Sequence, residues 1–289
     1  MPNLAWRTSK EQKYSYWKLP NSIDMPGAPS SKLDLSLACS ISKGGDDQPI
    51  QIIASLENST ISCGGLLVDA RDNKSYFQDR VNVSMTIERH PDLVRVSDGP
   101  ATANGSSSTS STISFSISGG VNAGFFGSTP TGGANVGASM SSSHSFSRNL
   151  SDFTVTNRSD NHTARHEYHM NASSGAPYKH PHDLVPVDNM DFEDHFKGIT
   201  LFDPPELAIA NLPIISQMVW QANHNRDIDE TLMLTIKVEQ HLASVRGTNN
   251  FFTVHWDTGG QTITYTHKER LPLHKLTAMK GTSLSSFGV

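Results

Sequence analysis

The chain has 289 residues, a mass of 31.5 kDa and a formal net charge of −5, enough length to bury a sizeable core in one large or two smaller domains. Hydrophobic residues make up 36% and charged residues only 18%, a balance rich in Ser, Thr, Asn and Gly that favours an all-β protein of extracellular type over a helical enzyme. An acidic balance without a basic cluster argues against nucleic acid and against electrostatic capture by anionic lipid, and no apolar run approaches the roughly 18 residues of a membrane-spanning helix.

The first residues, Met1-Pro2-Asn3-Leu4-Ala5-Trp6-Arg7, lack the apolar core of a signal peptide, so the expected form is a mature secreted chain or one exported by another route. Residues 1–30 carry Trp6, Tyr14, Tyr16 and Trp17 and read as an extended arm or latch that ends in a Pro-containing linker. Beyond it Leu33, Leu35, Leu37, Cys39 and Ile41 alternate with Asp34, Ser36, Ala38 and Ser40, and a second strand-like run covers residues 50–63. The two cysteines, Cys39 and Cys63, could close a disulfide worth about 3 kcal/mol or stay as two buried thiols. Val81, Val83, Met85 and Ile87 repeat the alternation against Asn82, Ser84, Thr86 and Glu88. Short alternating strands split by Gly, Asn and Asp turns predict a β-sandwich, with residues 31–108 as its first part.

Residues 109–150 differ in kind. Ile113, Phe115, Ile117, Val121, Ala123 and Phe125 fall on one face of a strand, against Ser114, Ser116, Ser118, Gly120, Asn122 and Gly124 on the other. After a Gly/Pro tip at residues 126–133, Ala134, Val136, Ala138, Met140 and Phe146 oppose Asn135, Gly137, Ser139, Ser141, Ser143 and Ser145. An ordinary surface strand carries Lys, Glu or Arg on its wet side, yet no Asp, Glu or Lys occurs from Thr109 to Arg148. Each run exceeds the roughly 9–11 residues a tilted transmembrane strand needs. The pattern is that of a stem hairpin with a lipid face and a lumen face. A Gly/Ser linker with chance alternation is the bland alternative, and it has no need of one-sided Ile, Phe and Val.

Residues 151–170 read as strands re-entering the sandwich, after which periodicity fades. Residues 171–225 form the candidate rim, with Tyr178, Phe192, Phe196, Phe202 and Trp220 as interfacial anchors, since aromatic rings favour the head-group level; some of these are expected to be core residues. A short helical turn fits residues 206–210. In residues 226–289, Leu232, Leu234, Ile236 and Val238 face one way, followed by Phe252, Val254 and Trp256, and the sandwich closes. The fold class is therefore all-β, a sandwich body with a loop-rich rim and an inserted amphipathic hairpin.

This order of parts resembles the leukocidin/hemolysin family of β-barrel pore-forming toxins. The likeness is carried by the Ser/Gly stem, by Leu201-Phe202-Asp203-Pro204 in the rim, and by Phe252-Thr253-Val254-His255-Trp256 followed by Glu269-Arg270. The resemblance implies a secreted cytolysin or hemolysin that assembles as a homo-oligomer of about seven or eight protomers on a membrane lipid or receptor, with no enzymatic activity and no cofactor. Phosphocholine-binding members use a rim pocket built on Trp and Arg, whereas Tyr178 and Lys197 stand in the matching stretch here, which leaves the head group open. An aerolysin-like pore former, and a non-lytic lectin or adhesin whose 109–148 segment is only a loop, are the rival readings.

A lone hairpin cannot rest in lipid, because each unpaired edge N–H or C=O costs several kcal/mol in hydrocarbon. Closing hairpins from several protomers into one barrel removes those edges. The 13 histidines invite a metal or pH-sensor reading, densest at His162, His166, His169, His180 and His182. Their spacing lacks the i, i+4 pattern of a zinc helix, so no metal is expected, and protonation in an acidic compartment is the weaker alternative use. No nucleophile elbow or phosphate loop is present.

Overall fold

The computed structural model describes residues 4–8, 13–18, 23–43, 50–63, 74–88, 93–102, 112–113, 148–149, 152–173, 176–184, 204–222, 231–250 and 253–272. In chain order its strands are β1 (Leu4–Thr8), β2 (Lys13–Lys18), β3 (Ile23–Met25), β4 (Ala28–Asp34), β5 (Ser36–Lys43), β6 (Ile50–Ser62), β7 (Lys74–Ile87), β8 (Leu93–Gly99), β9 (Thr112–Ile113), β10 (Arg148–Asn149), β11 (Phe153–Asn157), β12 (Thr163–Met170), β13 (Ala172–Ser173), β14 (Ala176–Pro177), β15 (Leu212–Ala222), β16 (Thr231–Asn250) and β17 (Thr253–Pro272). A 3-10 turn at Pro181–Leu184 and one turn of α-helix, α1 (Glu206–Ile209), complete the described elements. Among the described residues no helix is long and apolar enough to cross a membrane.

Two antiparallel sheets make the body. One is eight-stranded in the order β1-β2-β5-β6-β15-β8, with β4 pairing β6 and β3 pairing β4; the other is five-stranded in the order β11-β12-β7-β16-β17. Period-two alternation builds the second sheet: Val81, Val83, Met85 and Ile87 of β7 and Leu232, Leu234, Ile236 and Val238 of β16 are all buried. They meet Leu33, Leu37, Ile52, Leu56, Met218 and Trp220 of the first sheet in one continuous core. Each such side chain contributes about 1.5–3 kcal/mol on burial.

The arm residues 4–8 and 13–18 are extended strands that join the first sheet: β1 pairs β2, and β2 pairs β5 from Lys13↔Ile41 to Lys18↔Ser36. Two elements differ from the sequence reading. The run over residues 33–41 is broken at Leu35, since β4 and β5 pair different stretches of β6. There the Ser59 hydroxyl substitutes for the ladder, accepting from Ser36 N–H at 2.9 Å and donating to Ser36 O at 3.4 Å. Finally, β15 lies inside the segment assigned to the rim, yet it is an interior strand of the body between β6 and β8. Ile214 through Trp220 are buried without a break, so this strand carries no alternation to read.

Cys63 is buried, its Sγ 3.2 Å from Ile209 O and 3.5 Å from Ala208 O of α1. Cys39 lies on β5 opposite Ala54, and its side chain is outside the described residues.

Candidate functional site

The stem candidates lie between β8 and β11, and the structure describes the two points where that segment begins and ends. Thr112 pairs Asn149 and Ile113 pairs Arg148, antiparallel, so the chain leaves and returns as the two strands of a hairpin. The lipid-face candidates Phe115, Ile117, Val121, Ala123, Phe125, Ala134, Val136, Ala138, Met140 and Phe146 lie outside the described residues. So do the lumen-face candidates Ser114, Ser116, Ser118, Asn122, Asn135, Ser139, Ser141, Ser143 and Ser145.

Below the hairpin, a polar cluster ties the segment that enters it to the strand that follows it. Asn157, the last residue of β11, donates through Nδ2 to Asp98 Oδ2 at 2.7 Å and to Pro100 O at 3.1 Å, and its backbone N–H donates to Thr102 Oγ1 at 3.1 Å. Its own Oδ1 accepts from Ser159 N–H at 2.9 Å. Asp98, at the end of β8, also holds the guanidinium of Arg95. These bonds form because β8 ends in Asp98-Gly99-Pro100, where Pro stops the ladder and leaves carbonyl and carboxylate oxygens for a side-chain amide.

Two inward residues of β12 extend the cluster across the sandwich. His166 is fully buried; its Nδ1 lies 2.9 Å from Ser216 Oγ and its Nε2 3.8 Å from Asp98 Oδ2. Burial pushes its imidazole down to about 4, with Asp98 pulling the other way and Arg95 adding to the fall. Tyr168 donates its hydroxyl to Ile215 O at 2.5 Å and accepts from Ile215 N–H at 2.7 Å. The β15–β6 register shifts between Ile214 and Ser216, and this phenol, raised above its usual range by burial, serves the backbone groups that the irregularity strands.

The opposite candidates, the membrane anchors, divide. Phe192, Phe196, Lys197 and Phe202 lie outside the described residues. Trp220 is only 2% exposed in the core between the sheets, so it is not at a surface that could meet lipid. Tyr178 is also buried: it packs edge-on against Phe77 at 5.9 Å and donates to Asp79 Oδ2 at 2.7 Å. Burial and then the Asp79 charge raise its phenol well above the usual range. The other Asp79 oxygen meets His241 Nδ1 at 2.5 Å. The expectation of interfacial anchoring is therefore replaced, for these two aromatics, by a structural role.

The remaining histidines are dispersed. His169 lies 3.6 Å from Glu167 and His180 3.3 Å from Asp183, while His166 is on the inner face. Among the described residues no group of three or more His, Cys, Asp and Glu side chains is placed to hold a metal ion. Sequence reasoning missed Asp98, Asn157 and Ser216, which have no motif; His166 shares the parity of buried Ala164, Tyr168 and Met170, and that parity was its signal.

Two antiparallel sheets, with β9 pairing β10 where the chain leaves and re-enters the body between β8 and β11, make a fold that solved toxin structures share. Clostridium perfringens delta-toxin is similar over 94% of this chain and 95% of its own, with TM-score 0.59 and 14% identity. A structure described as a pore forming protein covers 94% of this chain and 97% of its own at TM-score 0.53 and 10% identity. The Clostridium perfringens NetB toxin, solved in its membrane inserted form, covers 90% and 94% at TM-score 0.50 and 10% identity. No protein-family model and no curated protein matches the sequence. At such identities the likeness is one of fold.

Proposed function

We propose that the chain is a secreted pore-forming toxin that binds a target membrane, assembles with copies of itself and inserts residues 113–148 as staves of a β-barrel. One observation carries the reading. The pairs Thr112↔Asn149 and Ile113↔Arg148 set an antiparallel register in which odd residues of the first run face even residues of the second. Carried up the hairpin, the same register would set Phe115 against Phe146, Val121 against Met140, Ala123 against Ala138 and Phe125 against Val136, with Ile117 against His144 and Ile113 against Arg148 toward the base. Opposed residues share a face, so the apolar sides of the two runs largely coincide, and the Ser, Asn and Gly sides coincide too. The body supports this reading by its likeness to two toxins, one of them membrane inserted, and to a pore forming protein.

In the barrel the neutral Ser/Asn/Gly face lines water and conducts ions with weak charge selectivity. The test is dye release from vesicles and target cells, with two charge insertions compared. Val121→Arg places a cation in lipid at about 2–4 kcal/mol per strand and should abolish release. Asn122→Arg places it in the lumen, where release should persist and planar-bilayer currents should turn anion-selective. A protein that binds but never leaks is a lectin-like module, and equal effects of both substitutions would overturn the face assignment.

A further inference from the structure

We propose that His166, Asp98 and Asn157 form an acid-released clamp on the segment that leads into the stem. The segment from Asp98 to Thr102 is fastened to β11 through Asn157 at three points, and the carboxylate at the centre of that fastening faces His166 at 3.8 Å. His166 is 0% exposed, and its Nε2 has no hydrogen-bond partner among the described residues. A proton arriving at Nε2 therefore has two outcomes. Either it sits as an imidazolium in a closed interior that solvates it with one carboxylate already engaged by Arg95 and Asn157, or the site opens to water. Packed against His166 are Asn157 of β11, Val83 of β7 and Ser216 of β15, all uncharged, and Asp98 and Arg95 of β8. Its chain neighbours Arg165 and Glu167 lie on the outer face. One cation and one anion beside the ring give little net support to a new positive charge, and burial decides the balance.

The sign follows. The closed-state value, about 4, lies below the ordinary 6.5, so closure has its full strength above the ordinary value and loses it as pH falls toward the closed-state value. Linkage makes the opened population rise about 30-fold between about pH 7.5 and about pH 5. Opening releases Pro100 and Thr102 from Asn157 and lets the entering strand pivot. That this pivot speeds insertion rests on the pore-forming reading above; the opening itself is a property of the soluble chain.

The two parts are therefore measured separately. Amide hydrogen exchange at Asn157, whose N–H is held by Thr102, is compared between the native chain and His166→Gln at the same pH, so intrinsic exchange rates cancel. The native chain should exchange about 30-fold faster at about pH 5 and equally at about pH 7.5. Equal exchange at both pH values would overturn the clamp. Should His166→Gln fail to fold, NMR titration of His166 in the native chain serves instead: a midpoint near the ordinary value, with Asn157 still protected in acid, would also overturn it. Dye release from phosphatidylcholine/cholesterol vesicles then reads the coupling. Acid acceleration lost in His166→Gln supports it, and acceleration retained sinks it. An acid-dependent exchange difference in a chain that leaks at no pH would leave the clamp standing and refute the pore reading.

Discussion

On β12 and β16, the two strands that flank β7 in the five-stranded sheet, a histidine stands near an aspartate, and the two arrangements differ. On β12, His166 is sealed from water and stands 3.8 Å from Asp98, whose oxygens are already bound to Asn157 and Arg95. On β16, His241 keeps 21% exposure and bonds Asp79 directly at 2.5 Å, while Tyr178 fills the other oxygen. A histidine beside a carboxylate is thus not one device. At His166 the carboxylate has no free oxygen and water does not reach the ring, so a proton there is resisted; at His241 the carboxylate bonds the ring directly. The first arrangement suits a part that must let go, and the second suits a part that must hold.

The sharpest way to break this contrast is at Tyr168, beside His166 on β12. Tyr168→Phe removes no volume to speak of but strands the N–H and C=O of Ile215 together. Leaving two buried backbone groups unpaired costs on the order of 2–4 kcal/mol, read as a shift of the urea midpoint at unchanged slope. A loss under about 0.5 kcal/mol would mean that the irregularity in β15 closes on its own, and that the root is not held by cross-sheet polar bonds.

Asp79→Ala should follow, at about 1–3 kcal/mol. It deprives the Tyr178 hydroxyl and the His241 ring of their shared acceptor, but the partial exposure of His241 lets water replace part of the loss. The informative comparison is with acid: the exchange difference at Asn157 should survive Asp79→Ala unchanged. If it disappears, the two clusters are coupled through β7 and the contrast drawn above is wrong.

How much of this could be read from residues alone depends on which faces are wet. Strands β7, β12 and β16 alternate because only one side of each is packed in the core, and period two survives in the sequence. β15 is buried on both sides from Ile214 to Trp220, so it did not stand out as a body strand in a stretch read as rim, where Met218 and Val219 beside Trp220 were the one sign of a strand. Tyr178 misled for a related reason: a phenol needs a partner when buried, and Asp79 lies 99 positions away. The root cluster was least legible. Asp98, Asn157 and Ser216 belong to three strands, and only the topology β8-β15 in one sheet and β11-β12 in the other brings them to His166. On β12, His166 shares the parity of buried Ala164 and Met170, but the sequence reading took it only as facing away from His169, and its partners were out of reach.

The smallest effect is also the most local. In β17, a Cβ on Gly260 would stand 2.7 Å from Cε1 and Nε2 of His241 and 3.1 Å from the carbonyl oxygen of Leu242, whereas one on Gly259 would meet only Ser244 Oγ at 3.2 Å. A hydroxyl can rotate away, but the imidazole is pinned by Asp79 and the carbonyl belongs to the β16 ladder. Gly260→Ala should therefore push His241 off Asp79 at a cost of about 1–2 kcal/mol, while Gly259→Ala should stay within about 0.5 kcal/mol, both read by thermal unfolding. The pair separates space from backbone freedom, because the two glycines are neighbours in the same strand. Equal effects would show that β17 yields as a whole, and that the glycine under His241 is not what lets the ring reach its carboxylate.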